Sequence, residues 1–397
     1  MRKLFQHIKG DKAIWAIVAL LAIFSFLPVY SAASNLAHQG SREVSTLSLL
    51  IKHFVHLSLG ILILFGIHKV PYQYFKGLSV LMMPVVIILL IVTLAQGDTI
   101  EGANAARWFR VPIVGVTFQT STLASVVLLT YVARYLSKIK DKTVTFKETL
   151  LPLWLPAFIV LVLILPANFS TTAIIFAMLM ILVFIGGYPS KYIAIILVSG
   201  LLFLTLFVGA AKLFPGVFPN RVDTWISRVE NFNDGELTEA DYQIEKAKIA
   251  IASGGITGLG PGKSIQKNFL PQSSSDFIYA IIAEEFGMAG ALFLIGLYMF
   301  LLFRFVIVAH KAETVFGKLL VIGVGLPIVF VALINMAVAV EIFPVTGQTL
   351  PLISSGGSSI WMTCMAIGMV LSVSAKREII KTEEQEENPL DILSEAI

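Results

Sequence analysis

Apolar residues occur along this 397-residue chain in long runs separated by short polar stretches. A bilayer's hydrocarbon core needs about 20 apolar residues per helix. Ten runs reach or approach that length, at 13–33, 46–67, 76–96, 117–136, 151–167, 169–187, 191–213, 276–303, 318–340 and 358–375. The pattern predicts an all-α polytopic membrane protein of about ten transmembrane helices. The first run is long enough to span. The small residues Ser31-Ala-Ala-Ser34 that end it lead into further apolar runs, so it reads as a retained span and not a cleaved signal peptide.

The connections are tight with one exception, residues 214–275. Loops beyond about 15 residues are uncommon and usually functional. Positive residues from Arg221 to Lys267 and negative ones from Asp223 to Glu245 nearly balance within it. Residues 239–252 read as a helix, with acids early and lysines later to suit the helix dipole. The Gly-rich stretch 254–262 then ends that helix. Residues 1–382 form one transmembrane unit on this reading. The acidic tail 383–397, which carries Pro389, is expected to be disordered.

Composition agrees and narrows the classes. The chain is 57% hydrophobic and 14% charged, with a mean hydropathy of +0.85, whereas soluble proteins are roughly 45–50% apolar and about 25% charged. A cytosolic enzyme, a disordered regulator and a secreted disulfide scaffold are all excluded. The single cysteine, Cys364, lies in an apolar run and reads as a small buried hydrophobe. A net charge of +4 gives no reason to expect nucleic acid as a partner; the placement of the positive charges is what carries information. Arg2, Lys3, Lys9, Lys12, Lys69, Lys76, Arg134, Lys138, Lys140, Lys142, Lys147, Lys191, Arg304, Lys311, Lys318, Lys376, Arg377 and Lys381 all fall on one side of the predicted spans. Short loops on the other side hold little beyond Arg42, Arg107 and Arg110. The positive-inside rule then places both termini in the cytoplasm and the 214–275 loop outside.

The segment from Ser264 to Gly290 is rich in candidate chemistry. Ser273, Ser274, Ser275 and Asp276 are good N-cap residues, so a helix is expected to start there, at the outer surface. Glu284 and Glu285 follow about two turns, or roughly 12 Å, deeper. Ionisable groups at such depth normally face a partner or a polar cavity. On a continuous helix Glu284 lies about 80° from Asp276 and Glu285 about 180°. Glu284 is therefore the expected companion of the two, with a structural role in helix packing as the equal alternative.

Two further outer-face stretches stand out. Gly102-Ala-Asn-Ala-Ala-Arg-Trp-Phe-Arg110 places Arg107 and Arg110 around two aromatics. It suits either an interfacial anchor or a phosphate site. Phe343 to Ser359, with many Pro, Gly and Ser residues, suggests re-entrant or cavity-lining backbone. Gly258-Leu-Gly-Pro-Gly-Lys-Ser264 is not a P-loop, because the glycine that motif needs is Thr257 and no strand precedes it. His53 and His56, with Lys52, could suit a metal by spacing. Without a third ligand nearby they read as interfacial polarity.

On these residues the chain resembles the SEDS family of bacterial cell-wall polymerases over nearly its whole length. The resemblance is carried by Tyr30-Ser-Ala-Ala-Ser34, Arg107-Trp108, Gln119-Thr-Ser121, Ser253-Gly-Gly255, Gly258-Leu-Gly260, Ser264-Ile-Gln-Lys267, Leu270-Pro271, Asp276-Phe-Ile278, Glu284-Glu285 and Leu350-Pro-Leu-Ile-Ser-Ser-Gly-Gly-Ser-Ser359. The Ser-x-Gln-Lys stretch and the terminal Gly-Gly-Ser-Ser favour the cell-division branch over the elongation branch. Two departures stand out. The family's Gln-Pro-Ser-Glu-x-x-Lys is here Gln119-Thr-Ser-Thr-Leu-Ala-Ser125, and its Pro-Asp-x-Gly-Thr is Ala167-Asn-Phe-Ser-Thr171. Losing one member of a buried ion pair costs about 3–5 kcal/mol, and neutralising both sides avoids that. Ser125 and Asn168, with Thr122, are expected to replace a charged contact by hydrogen bonding.

The resemblance implies glycosyl transfer on lipid II, the undecaprenyl-pyrophosphate disaccharide-peptide, at the outer surface of the bacterial cytoplasmic membrane and at the division septum. It implies Asp276 as the general base. Arg107, Arg110, Arg221, Arg228, Lys263 and Lys267 are candidate phosphate ligands, and Ser354 and Ser355 candidate substrate contacts. A divalent cation, Mg or Mn, is a candidate cofactor. The implied partners are a class B penicillin-binding protein transpeptidase and other divisome proteins. Two other readings compete, a lipid II flippase and a non-catalytic scaffold for that transpeptidase. A flippase predicts repeated halves with paired broken helices, and the chain has no convincing internal repeat.

Overall fold

The computed structural model describes residues 9–39, 46–96, 108–110, 117–140, 142–213, 239–270 and 273–386. Ten apolar helices account for the ten predicted runs. They are α1 (Lys12–Gln39), α2 (Thr46–Ile67), α3 (Tyr74–Gln96), α4 (Thr120–Ile139), α5 (Phe146–Ile164), α6 (Phe169–Ile185), α7 (Ser190–Leu213), α9 (Ile278–His310), α10 (Val315–Ala339) and α11 (Ser358–Glu386). Among the described residues nine of these are long and apolar enough to cross a membrane, and α6 is shorter at 17 residues. The protein is a multi-pass helical membrane protein. The helix expected over 239–252 in the long loop is present as α8 (Glu239–Gly254).

Several boundaries differ from the apolar pattern, three of them for a clear local reason. α4 begins at Thr120, because residues 117–119 form β2 (Thr117–Gln119), antiparallel to β1 (Trp108–Arg110). α5 starts earlier than expected, at a capping box in which Thr145 and Glu148 satisfy each other's backbone N–H groups. It then passes through a π-helical turn, Leu150–Trp154, around Pro152. The freed Pro152 carbonyl accepts from the Tyr131 hydroxyl at 2.6 Å. α9 continues to His310 because Arg304 is neutralised within the fold by Asp11, which also caps the start of α1. α11 runs through Glu386, four residues into the segment expected to be disordered.

α10 and α11 form the centre, with most of their apolar stretches buried, while only 6% of the corresponding stretch of α7 is covered by protein. α2 packs along α11, α9 along α10, and α4 between α3 and α10. The basic loops gather at one end of the bundle. There Lys76 lies over Phe316, Lys376 lies over Tyr72, and the Tyr72 hydroxyl meets Thr314 at 3.0 Å. The β-hairpin, the 255–277 segment and the 340–357 segment meet at the other end.

Candidate functional site

The site is organised by a break in α9. Gly287 has φ 66° and ψ −169°, a region open essentially only to glycine, so helical hydrogen bonding lapses around it. The segment after α8 fills the gap. Leu259 N–H and Gly260 N–H donate to the Glu284 and Glu285 carbonyls, each at 2.9 Å. In return, Met288 N–H and Ala289 N–H donate to the Gly255 and Ile256 carbonyls at 2.9 and 3.2 Å. Such backbone contact leaves no room for side chains. A Cβ on Gly254, Gly258 or Gly287 would sit 2.0, 2.2 or 2.4 Å from backbone atoms of the facing segment. Backbone groups that cannot reach water must find partners inside the protein, and here they do.

Glu284 and Glu285 are fully buried and serve the same junction. Glu284 accepts from the Ser264 hydroxyl at 2.5 Å and from the Ile265 and Gln266 N–H groups at 2.9 and 3.2 Å. Glu285 accepts from the Ser31 hydroxyl and, at 3.3 Å, from Ser264 N–H. Lys267 donates to the Gly262 carbonyl at 2.9 Å and to Ser31 at 3.3 Å. Glu284 is therefore not the companion of Asp276. It anchors the Ser264–Gln266 loop instead, and the angular argument fails because Asp276 precedes the helix.

α9 begins at Ile278, with Phe277 in the N-cap position and no side-chain cap from it, so Asp276 lies in a turn and not at the expected cap. Three successive carbonyls of that turn are held. Ser274 O accepts from Ser355 N–H and from its hydroxyl, both at 3.0 Å. Ser275 O accepts from the Ser354 hydroxyl at 2.6 Å. Asp276 O accepts from the buried Asn335 amide at 2.7 Å, and that amide also donates to Gln348 O at 2.7 Å. Sequence reasoning missed Asn335. Its signal was a lone amide in the apolar run 318–340.

Asp276 faces a cavity of about 480 Å³. Its mouth is polar, formed by Ser274–Asp276, Gln348, Thr349 and Ser355–Ser359. Its floor is apolar, formed by Val126, Leu129, Val324, Ile328, Val331 and Met362 on α4, α10 and α11. The Pro-, Gly- and Ser-rich segment before α11 thus lines the cavity. Ser355 is on its wall, whereas Ser354 is buried and holds the turn. Trp108, Thr122 and Ser125 also line it. So do Lys52, His53 and His56, which corrects their reading as simple interfacial polarity.

Other expected residues lie elsewhere. Neither Lys263 nor Lys267 lines the cavity, and Lys267 is tied into the Ser31 junction. Ser125 and Asn168 do not bond to each other. The Asn168 side chain instead caps α6, accepting from Thr171 N–H at 3.2 Å beside a small cleft with Thr120 and Ser121. Arg107, Arg221, Arg228 and the Arg110 side chain lie outside the described residues. Among the described residues no three His, Cys, Asp or Glu side chains converge as a metal site. Asp276 is the one carboxylate among the described residues on the cavity wall. The donors on the described wall do not form a metal cage.

Comparisons with known proteins bear on this arrangement. The profile of the FtsW, RodA and SpoVE family, described as Cell cycle protein, matches residues 11–379. A probable peptidoglycan glycosyltransferase FtsW from Saccharophagus degradans is 33% identical over 96% of this chain and 95% of its own. A solved chain from a peptidoglycan synthase complex that coordinates polymerization and crosslinking superposes with a TM-score of 0.71 at 26% identity, covering 93% of this chain and 98% of that one. The rod shape determining protein RodA of Thermus thermophilus superposes with a TM-score of 0.64 at 26% identity, over 92% of this chain and 96% of its own.

Proposed function

Because the chain belongs to the FtsW/RodA/SpoVE family of cell cycle proteins, we propose that it is a peptidoglycan glycosyltransferase that polymerises lipid II at the outer surface of the cytoplasmic membrane during septal wall synthesis. The observation that carries this reading is the placement of Asp276, the one carboxylate on the described wall of a cavity with a polar mouth and an apolar floor. An isoprenoid-linked sugar has the matching division, with a greasy chain for the floor between α4, α10 and α11 and sugars for the mouth. The 480 Å³ cavity is within the range of ligand sites.

The chemistry needs one base. A sugar hydroxyl is a poor nucleophile at neutral pH, and a positioned carboxylate that accepts its proton contributes typically 10²–10⁴-fold. The acceptor's 4-hydroxyl oxygen attacks the donor's anomeric carbon from the face opposite the leaving group, and the carbon inverts. Its proton passes to Asp276, while the bond from the anomeric carbon to the diphosphate oxygen breaks and that oxygen keeps the electron pair. A diphosphate leaves without protonation, so the second acid that glycosidases use is not required.

The carbonyl clamp of Ser354, Ser355 and Asn335 supports the base role, because a base acts only when held within hydrogen-bond reach of its proton. A class B penicillin-binding protein would then crosslink the strands. The similarity to a chain from a complex that couples polymerization to crosslinking supports such a partner.

The test uses the full chain in proteoliposomes supplied with labelled lipid II. A ladder of glycan products, digestible by a muramidase, is the expected result. Movement of labelled lipid between leaflets without any polymer would overturn the reading in favour of a flippase.

A further inference from the structure

α2 carries Lys52 and His56 one helical turn apart, and both line the polar mouth that Asp276 faces. Lys52 is the one Lys or Arg among the described lining residues. Thr122 and Ser125 on α4 are neutral, so α2 supplies the positive charge on the described wall.

His56 is held in one orientation. Its Nδ1 lies 2.6 Å from the Lys52 carbonyl, and a carbonyl only accepts, so Nδ1 bears a proton. Its ring stacks on Trp361 at 5.4 Å and 19°, and the Trp361 indole N–H donates to the His56 carbonyl at 3.1 Å. Nε2 then faces the Gly356-Gly357 backbone on the cavity wall, 3.7 Å from where a Cβ on Gly357 would be. His53 on the same helix differs, being buried and paired with the Ser25 hydroxyl at 2.9 Å. His53 also lines the cavity, but its Nε2 is taken up by Ser25, whereas the Nε2 of His56 is turned toward the glycine backbone of the wall. The first turn of α11, at Ser358 and Ser359, opens on the same mouth and adds the positive end of its dipole.

We propose that Lys52 and His56, with Trp361 as the positioning residue behind the imidazole, form a subsite for the diphosphate of an isoprenoid-linked sugar. The proposal deepens the glycosyltransferase reading and rests on it for the identity of the ligand. A diphosphate close to the Asp276 carboxylate is repelled unless cations offset it, and charge-assisted hydrogen bonds from the Lys52 ammonium and from a His56 imidazolium, which carries a second proton on Nε2 when the diphosphate is bound, do so. The diphosphate belongs either to the donor, as leaving group, or to the acceptor, as its anchor.

The experiment measures binding of farnesyl diphosphate and of farnesol to the full chain in nanodiscs. Wild type binds the diphosphate, and Lys52→Met and His56→Ala each lose about ten-fold or more in its affinity with farnesol binding unchanged. Lys52→Arg retains binding, and Asp276→Asn binds as well as wild type or better. Thermal melts confirm that each variant is folded.

Polymerisation assays add an acceptor glycan that carries no diphosphate. A defect in the α2 variants that persists with this acceptor assigns the subsite to the donor's leaving group. One that disappears assigns it to the acceptor's anchor, and either supports the proposal. Folded Lys52→Met and His56→Ala proteins that bind farnesyl diphosphate like wild type would overturn it, even if Asp276→Asn abolishes polymer and so upholds the glycosyltransferase reading. If wild type makes no polymer but the charge-dependent binding persists, that reading fails and the subsite stands.

Discussion

Asn335 is buried near the end of α10, where its amide joins two segments that meet at the cavity, through Asp276 O and Gln348 O. Replacing it by leucine leaves both carbonyls without that donor and frees the turn that carries the carboxylate. Misplacing a catalytic group by about 1 Å can cost on the order of 100-fold. Asn335→Leu is expected to lower kcat for polymerisation by about ten-fold or more, with KM changing by less than about three-fold, in steady-state assays of purified protein. A proportional rise in KM with kcat intact would show that the amide serves substrate binding instead.

This residue also marks how far the sequence could be read. A lone amide in an apolar run is visible, but its partner lies 59 positions away in the chain, and only folding brings the two together. The pairing of Ser125 with Asn168 failed for a related reason. Asn168 looks like a replacement for a lost charge, yet its oxygen is committed locally to the start of α6.

At the scale of elements, α9 carries the central structural argument. Its apolar run gives no warning of the break at Gly287, because the neighbours Phe286, Met288 and Ala289 are all apolar and hydrophobicity is blind to φ. The glycines at 254 and 258 were legible as a motif, whereas their function as surfaces for backbone contact was not. An alanine at 287 meets both a glycine-only conformation and a backbone 2.4 Å away. Gly287→Ala is expected to destabilise the protein by about 3 kcal/mol or more. A lower melting temperature and faster proteolysis within residues 254–270 would report it. Gly66→Ala, where no atom lies within 4 Å of the added carbon, should melt near the wild-type temperature. Equal melting of the two variants would contradict this account of the junction.

Glu284 belongs to the same element and makes a second prediction. Glu284→Ala strands the Ser264 hydroxyl and two backbone N–H groups, each worth about 1–3 kcal/mol when buried without a partner. It should therefore increase hydrogen exchange at Ile265 and Gln266 before the spans unfold.

Across the whole molecule, the ten apolar runs and the charge asymmetry made the architecture legible, because each run is long enough to declare itself without tertiary context. Boundaries moved where local contacts override the apolar pattern, as at the end of α9, where Arg304 is neutralised inside the fold by Asp11. Sidedness can be tested with little background, since the single cysteine, Cys364, is fully buried. In right-side-out spheroplasts, a membrane-impermeant maleimide should label Ile342→Cys at the cavity end. Lys311→Cys at the basic end should label only after permeabilisation. The reverse pattern would place the cavity on the cytoplasmic side and remove its access to an outer-surface substrate.

Asp276, whose turn is held by Ser354, Ser355 and Asn335 at the mouth of an amphipathic cavity, acts on this account as the base for glycosyl transfer. The rate of lipid II polymerisation by purified, full-length Asp276→Asn against wild type tests it most directly. Asparagine keeps the size of the side chain and removes its basicity, so the account predicts a loss of about 100-fold or more with an unchanged melting temperature. Polymer made at the wild-type rate by the folded variant would contradict it.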